Sequence, residues 1–408
     1  MSRPRSVAAP AILQSSTLWD SLRSYGTCFL SETLDFRTLC TAPFDGTVLT
    51  PALAWEAIKR EDYRGCFDDA LQELMAESSS KVGSYQDLTA RLLKLYVFHL
   101  GITIMQCVPD RDHYTFIDPF FSDNTDMIIQ EATELIQIFT SRGFDSTNIV
   151  ISIPATKEGL IAAKMLHDQY GIRTNMVMVS SLLHAIISGD TGAAAVTYDF
   201  QALRQLCPVQ CDQEAEVIAA IRNTGALFQL HCKPKLVVTG LNHIKQLRSM
   251  AGPFTCCLGD AIATEALSTT SPADYCSLNP AELQAPKETV GILGRDAQSS
   301  GRQLMSLLPT DMCALAQKAF VSGMTPMKIC LQQVRIVLTE EFLRHQRRRL
   351  AQANRPKGDD DHPRMLSSDA HCSERRSRDS TTKSECGPRK SKGKDALRKV
   401  TFAIGTKD

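Results

Sequence analysis

Two carboxylates and one amine stand where strand-like runs give way to turns, and they are the side chains best placed to do chemistry. Glu32 follows the strand-like Thr27–Ser31, Asp118 lies late in the segment His113–Pro119, and Lys157 comes just after the apolar run Asn148–Ile153. A carboxyl group can give or take a proton, and an amine stripped of its charge by burial can add to a carbonyl. Asn175 and Thr197 add polar groups to two further strand-like runs, Ile172–Val179 and Ala193–Thr197. Each has a plainer use. Asp118 before Pro119 can cap the following turn, Asn175 can satisfy backbone groups at a strand end, and a lysine beside Glu158 at a helix start is ordinarily a solvated surface group. Other chemistries have less behind them. The 14 cysteines include no CxxC pair, and their closest spacings, Cys207 to Cys211 and Cys256-Cys257, fit no common zinc pattern. His99, His167 and His184 are isolated on helical segments, and neither a Gly-x-Gly-x-x-Gly run nor a P-loop is present, so the sequence calls for no metal and no cofactor.

The elements that would position these groups are clearest over Asn148–Phe200, which reads strand, helix, strand, helix, strand. Asn148–Ile153 is a short apolar run, Thr156 can cap a helix with Glu158 in its first turn, and Gly171 stops that helix before the next strand. Repeated strand–helix units imply parallel strands with right-handed crossovers, hence either an open doubly wound sheet or a closed (β/α)8 barrel. Helices are expected over Thr17–Tyr25, Leu53–Arg60, Asp68–Glu77, Leu88–Leu100 and Thr125–Arg142, the last stopped by Gly143. Leu236–Gly240 and Phe254–Leu258 read as strands, Pro272–Pro309 as loop-rich. Met324–Leu350 reads as a long helix burying Ile329, Val334, Ile336, Val337 and Leu338.

At 408 residues the chain is long enough for one barrel of about 250 residues plus extensions. Lys plus Arg and Asp plus Glu both number 45, and a net charge of zero predicts attraction to neither nucleic acid nor membrane. The longest apolar segment, Leu92–Val108, is interrupted by Lys94, His99 and Gln106, short of the roughly 20 apolar residues of a membrane span. Scattered thiols and the lack of a signal-peptide core at the N-terminus point to the cytoplasm; Arg3 and Arg5 leave an organelle-targeting signal as the lesser reading. Residues 1–16 are expected to be a flexible start and 351–408 a disordered charged tail. Few apolar residues remain in that tail, and the basic cluster near Pro388–Lys394 is read as solvated rather than as a nuclear signal.

The Asn148–Asn175 stretch resembles the transaldolase family, through Ile-Pro-Ala-Thr before Glu158-Gly159, the Ala162-Ala163 pair, and Tyr170-Gly171-Ile172 leading to Asn175-Met176. The likeness extends over about Thr27–Gly259. Glu32-Thr33-Leu34-Asp35 falls on the family's Asp-Thr-Gly-Asp turn, Asp45 to Pro51 on its Asp-x-x-Thr-Asn-Pro strand, and Asp118-Pro119 on its Val-Asp-Pro. The resemblance implies a (β/α)8 TIM barrel over 17–350, closed by a C-terminal helical extension.

It also implies a site that has lost its parts. Ser152 stands on the strand that carries the Schiff-base lysine in the family, and no lysine occurs in Asn148–Thr156. Glu32 replaces the first catalytic aspartate, Thr50 a substrate-binding asparagine, Phe116 the water-positioning glutamate, and Val177 a threonine; Asn175 is kept and Thr197 stands for a serine. The two phosphate-binding arginines align with Ala202 and Asn242, with Arg204 two residues out of place. A serine hydroxyl cannot make an iminium. The expectation is therefore a barrel without Schiff-base transaldolase activity. It would be either an enzyme using Glu32 and Asp118 on a carbonyl or sugar-like compound, in a fungal specialised-metabolite setting, or a non-catalytic relative that binds such a ligand. The alternative is an active transaldolase, moving a dihydroxyacetone unit between sugar phosphates, with Lys157 as a displaced amine. Oligomeric state is open.

Overall fold

The computed structural model describes residues 17–77, 84–207, 212–230, 234–270 and 308–353. The flexible start, the charged tail and most of the loop-rich segment expected after residue 271 lie outside them.

Eight short strands pair in parallel in sequence order and close on themselves. They are β1 (Cys28–Ser31), β2 (Gly46–Val48), β3 (Asp112–Phe116), β4 (Ile149–Pro154), β5 (Thr174–Val177), β6 (Ala195–Asp199), β7 (Lys235–Thr239) and β8 (Thr255–Leu258). Closure is made where Cys28 to Ser31 run beside Thr255 to Leu258. This settles the choice left by the strand–helix pattern in favour of the (β/α)8 barrel. Leu30, Tyr114, Val150, Ala195, Val237 and Cys257 pack together with Val48 inside it, so the barrel centre is a filled core rather than a pore.

Helices wrap the outside: α1 (Leu18–Ser24), α2 (Phe36–Thr41), α3 (Pro51–Ile58), α4 (Arg64–Glu77), α5 (Tyr85–Met105), α6 (Thr125–Ser141), α7 (Lys157–Tyr170), α8 (Leu182–Gly189), α9 (Phe200–Leu206), α10 (Gln213–Leu230), α11 (Ile244–Arg248) and α12 (Asp260–Ser268). Their starts are set by local chemistry. Thr17 and Asp20 form a capping box on α1, and Thr156 Oγ1 accepts from Gly159 N at 3.0 Å on α7. Gly159 is required by packing, since a Cβ there would lie 2.0 Å from the Pro154 carbonyl oxygen. Gly171, at φ 62°, ends α7 in the left-handed conformation. Helix α5 is longer than the pattern suggested and, by length and composition alone, could cross a membrane; half of that window is buried, and α5 packs on α4 in the barrel wall.

The chain then lays one long helix, α13 (Thr310–Ala353), against α3, α5 and α9. It begins well before the expected Met324 and carries Pro326 inside it, whose missing N–H leaves one helical hydrogen bond unmade. Its buried face is Met324, Leu331, Val334, Leu338 and Phe342. The expectation that Ile329 and Ile336 are buried is corrected: they are 57% and 42% exposed, and Val337 is only half-buried. At 100° per residue Ile336 lies about 200° round the helix from Val334, so both cannot face the barrel.

Candidate functional site at the barrel mouth

The C-terminal ends of the strands open into a cavity of about 380 Å³, roofed by α13. Strand register places the first of its groups side by side. Phe116 of β3 pairs with Ser152 of β4, and Ser152 with Asn175 of β5, so all three lie in one layer of the barrel. Thr197 on β6 donates from Oγ1 to Asn175 Oδ1 at 2.8 Å, and Asn175 Nδ2 donates to Ser152 Oγ at 3.2 Å. A polar ladder thus runs across three strands and ends on the serine. His184 supports the adjoining turn. Its Nε2 lies 2.8 Å from the Ala155 carbonyl and its Nδ1 3.2 Å from Ser180 Oγ, and burial holds its pKa down to about 4 against the pull of that carbonyl. A neutral ring that donates from Nε2 and accepts at Nδ1 fits both contacts.

Across the cavity Glu32 follows β1 and accepts from Thr239 Oγ1 at 2.8 Å. Burial pushes its carboxyl above the usual range; the Thr239 hydrogen bond opposes that rise and the Asp199 charge adds to it. Asp199 lines the same cavity and caps α9, its Oδ1 accepting from Ala202 N at 2.9 Å. Cys257, on the floor, has its thiol pushed well up by burial, with Glu32 and Cys256 adding to the shift, so it is not a thiolate nucleophile.

Of the residues singled out from sequence, Glu32, Thr50, Phe116, Ser152, Asn175, Val177 and Thr197 all line this cavity. Thr50 also caps α3, accepting from Leu53 N at 3.2 Å. Asp118 and Lys157 do not line it. Beyond Phe116 the chain turns at Pro119, and the buried Asp118 carboxylate folds back on that turn to accept from Phe120 N at 3.0 Å. Its other oxygen pairs with Arg335 of α13, whose guanidinium lies 4.9 Å over the Phe120 ring. Asp118 is therefore a fastening for the roof, not an acid facing the cavity. Lys157 is exposed at the first turn of α7.

Sequence reasoning missed Asp199 and Thr239, whereas the helix over the mouth was expected. Asp199 was legible as a cap, a short acid directly before an apolar helix, but β6 had been expected to stop at Thr197. Met178 gave no signal. It sits in the left-handed region at φ 64°, a conformation that costs a residue of this kind about 1–2 kcal/mol, and its side chain meets α13 at Gly323, where a Cβ would lie 3.3 Å from Met178 Cγ. One further property appears only when the wall is assembled. Among the described residues lining the cavity there is no lysine, arginine or histidine, and its only ionisable carboxyls are Glu32 and Asp199. Ala202 lines it without charge, while Arg204 and Asn242 are exposed and lie outside.

Known proteins similar to this chain carry the same likeness. Residues 34–198 match the family described as Transaldolase/Fructose-6-phosphate aldolase. The chain is 28% identical over 182 residues to a transaldolase of Gibberella intermedia, covering 45% of this chain and 55% of that protein. It is 29% identical over 170 residues to a probable transaldolase of Dictyostelium discoideum, covering 42% and 51%. With a probable transaldolase of Drosophila melanogaster the identity is 23% over 269 residues, covering 63% and 79%. The chain thus spans about half the length of the first two relatives. The match, the barrel and the aligned strand ends agree in their likeness to the transaldolase family, with Ser152 on the strand where that resemblance places the Schiff-base lysine.

Proposed function

We propose that this barrel has given up Schiff-base transaldolase chemistry and uses its mouth to bind a small carbonyl or sugar-like compound, with Glu32 as an acid of raised proton affinity. The observation that carries this is the absence of any amine or guanidinium among the described lining residues. An iminium forms when an amine adds to a carbonyl and water leaves; a hydroxyl at Ser152 can add to give only a hemiketal, which has no electron sink for breaking a carbon–carbon bond. The lack of paired cations argues equally against a sugar phosphate as the habitual ligand. The cysteines, scattered along the chain without a CxxC pair, suit a reducing, cytosolic setting, and a specialised-metabolite pathway suits a site so far from its relatives' pattern. The displaced-lysine reading is not favoured, because Lys157 is exposed and outside the cavity.

The test is transfer of a dihydroxyacetone unit from fructose 6-phosphate to an aldose phosphate. No turnover above the protein-free rate is expected. Turnover that disappears in Lys157→Ala would contradict the proposal and restore the displaced amine.

A further inference from the structure

We propose that the mouth cavity takes an uncharged, phosphate-free carbonyl compound with an apolar body, and that the Ser152 hydroxyl, set by Asn175 and Thr197, donates to its carbonyl oxygen. This rests on the reading above, that the mouth forms no iminium.

Following the protons along the ladder gives the contact. Thr197 spends its hydroxyl proton on Asn175 Oδ1, and Asn175 spends an amide proton on Ser152 Oγ. The Ser152 oxygen is thereby an acceptor within the wall, and its own proton has no acceptor among the described residues. Each donor upstream polarises the next, so the serine at the end is a better donor than an isolated hydroxyl. It stands half-buried at the cavity surface, where an acceptor on a ligand would complete the chain.

The remainder of the wall selects what carries that acceptor. Val48, Phe116, Val177, Met178, Met324 and Met327 give an apolar body surface to lie against, and methionine side chains adapt to irregular shapes. Charge selects against anions. A phosphate or carboxylate entering would shed water into a space whose only lining ionisable carboxyls, Glu32 and Asp199, are themselves acidic, with no cation in the described wall to offset the loss. Glu32 is compatible with a neutral partner, because burial keeps the proton on its carboxyl to higher pH. A cavity of about 380 Å³ lies at the small end of ligand-binding sites and suits one compact molecule.

The experiment uses three probes with the full chain: benzylacetone, phenylbutyrate and fructose 6-phosphate, each titrated by calorimetry and ligand-observed NMR. Benzylacetone is expected to bind at least tenfold tighter than the carboxylate of similar body, with no binding of the sugar phosphate. Ser152→Ala should weaken benzylacetone about five- to tenfold, and Thr197→Val, which removes the first donor without altering the wall at Ser152, about two- to threefold. Thr197→Val also keeps the test meaningful if Ser152→Ala does not fold. No benzylacetone binding, equal or tighter binding of either anion, or indifference of the ketone to both substitutions would overturn the inference. Borohydride treatment of the benzylacetone mixture separates the two levels. A trapped adduct would sink the non-iminium reading itself, whereas reversible ketone binding that ignores the ladder would sink only the role given to Ser152.

Discussion

Ser152 shows how much one position can decide. Its neighbours Phe116 and Asn175 are in register with it, so the site keeps its layer of side chains while the group that would carry covalent chemistry is a hydroxyl. Glu32 is the other residue with a measurable signature. Burial holds its proton in the folded state, so over the interval between the ordinary carboxylate range and its raised value the folded protein binds more protons than the unfolded chain. Stability then falls as pH rises through that interval. Glu32→Gln removes this loss, and its melting temperature should exceed that of the wild type at neutral pH, with the gap closing toward acid. Thermal melts of both proteins across that range check it, and identical pH profiles would contradict it. The identities of these residues were legible from aligned strand ends. Their electrostatics were not, because the proximity of Asp199 and the absence of a cation from the described wall depend on which side chains of seven strands and a distant helix share one space.

At the scale of elements, the strands and caps were readable because each is fixed by a few adjacent residues: Thr156 starts α7, Gly171 ends it, and the apolar run before them is β4. Helix α13 was readable in kind but not in extent or facing. Its facing follows from the burial of Leu331, Val334 and Leu338 as the helix packs on α3 and α5, elements far away in sequence. The same distance hid the use of Asp118, whose partner Arg335 lies 217 residues away. That pair fastens the roof beside Phe120. Arg335→Ala leaves the buried Asp118 carboxylate without its counter-charge and should cost about 2 kcal/mol, less than for a fully buried pair because the arginine is partly exposed. Arg344, exposed on the same helix, supplies the comparison: Arg344→Ala should change stability by no more than about 0.5 kcal/mol. Urea melts of both variants measure the difference, and equal losses would refute the fastening role.

For the whole molecule, the local strand–helix order allowed both an open sheet and a closed barrel. Closure is a property of the pair β1 and β8, which the chain brings together only after more than 200 residues. Once closed, the barrel gathers its strand ends at one mouth, and the roof helix confines them in a single cavity whose described wall has no basic side chain. The proposed loss of Schiff-base chemistry rests on that global property rather than on any one substitution. Borohydride trapping with dihydroxyacetone and with fructose 6-phosphate tests it most directly, read by intact mass and peptide mapping beside an active transaldolase as control. The control should gain a trapped adduct while this protein keeps its unmodified mass with both compounds; an adduct on Lys157 or on any other lysine would contradict the central claim.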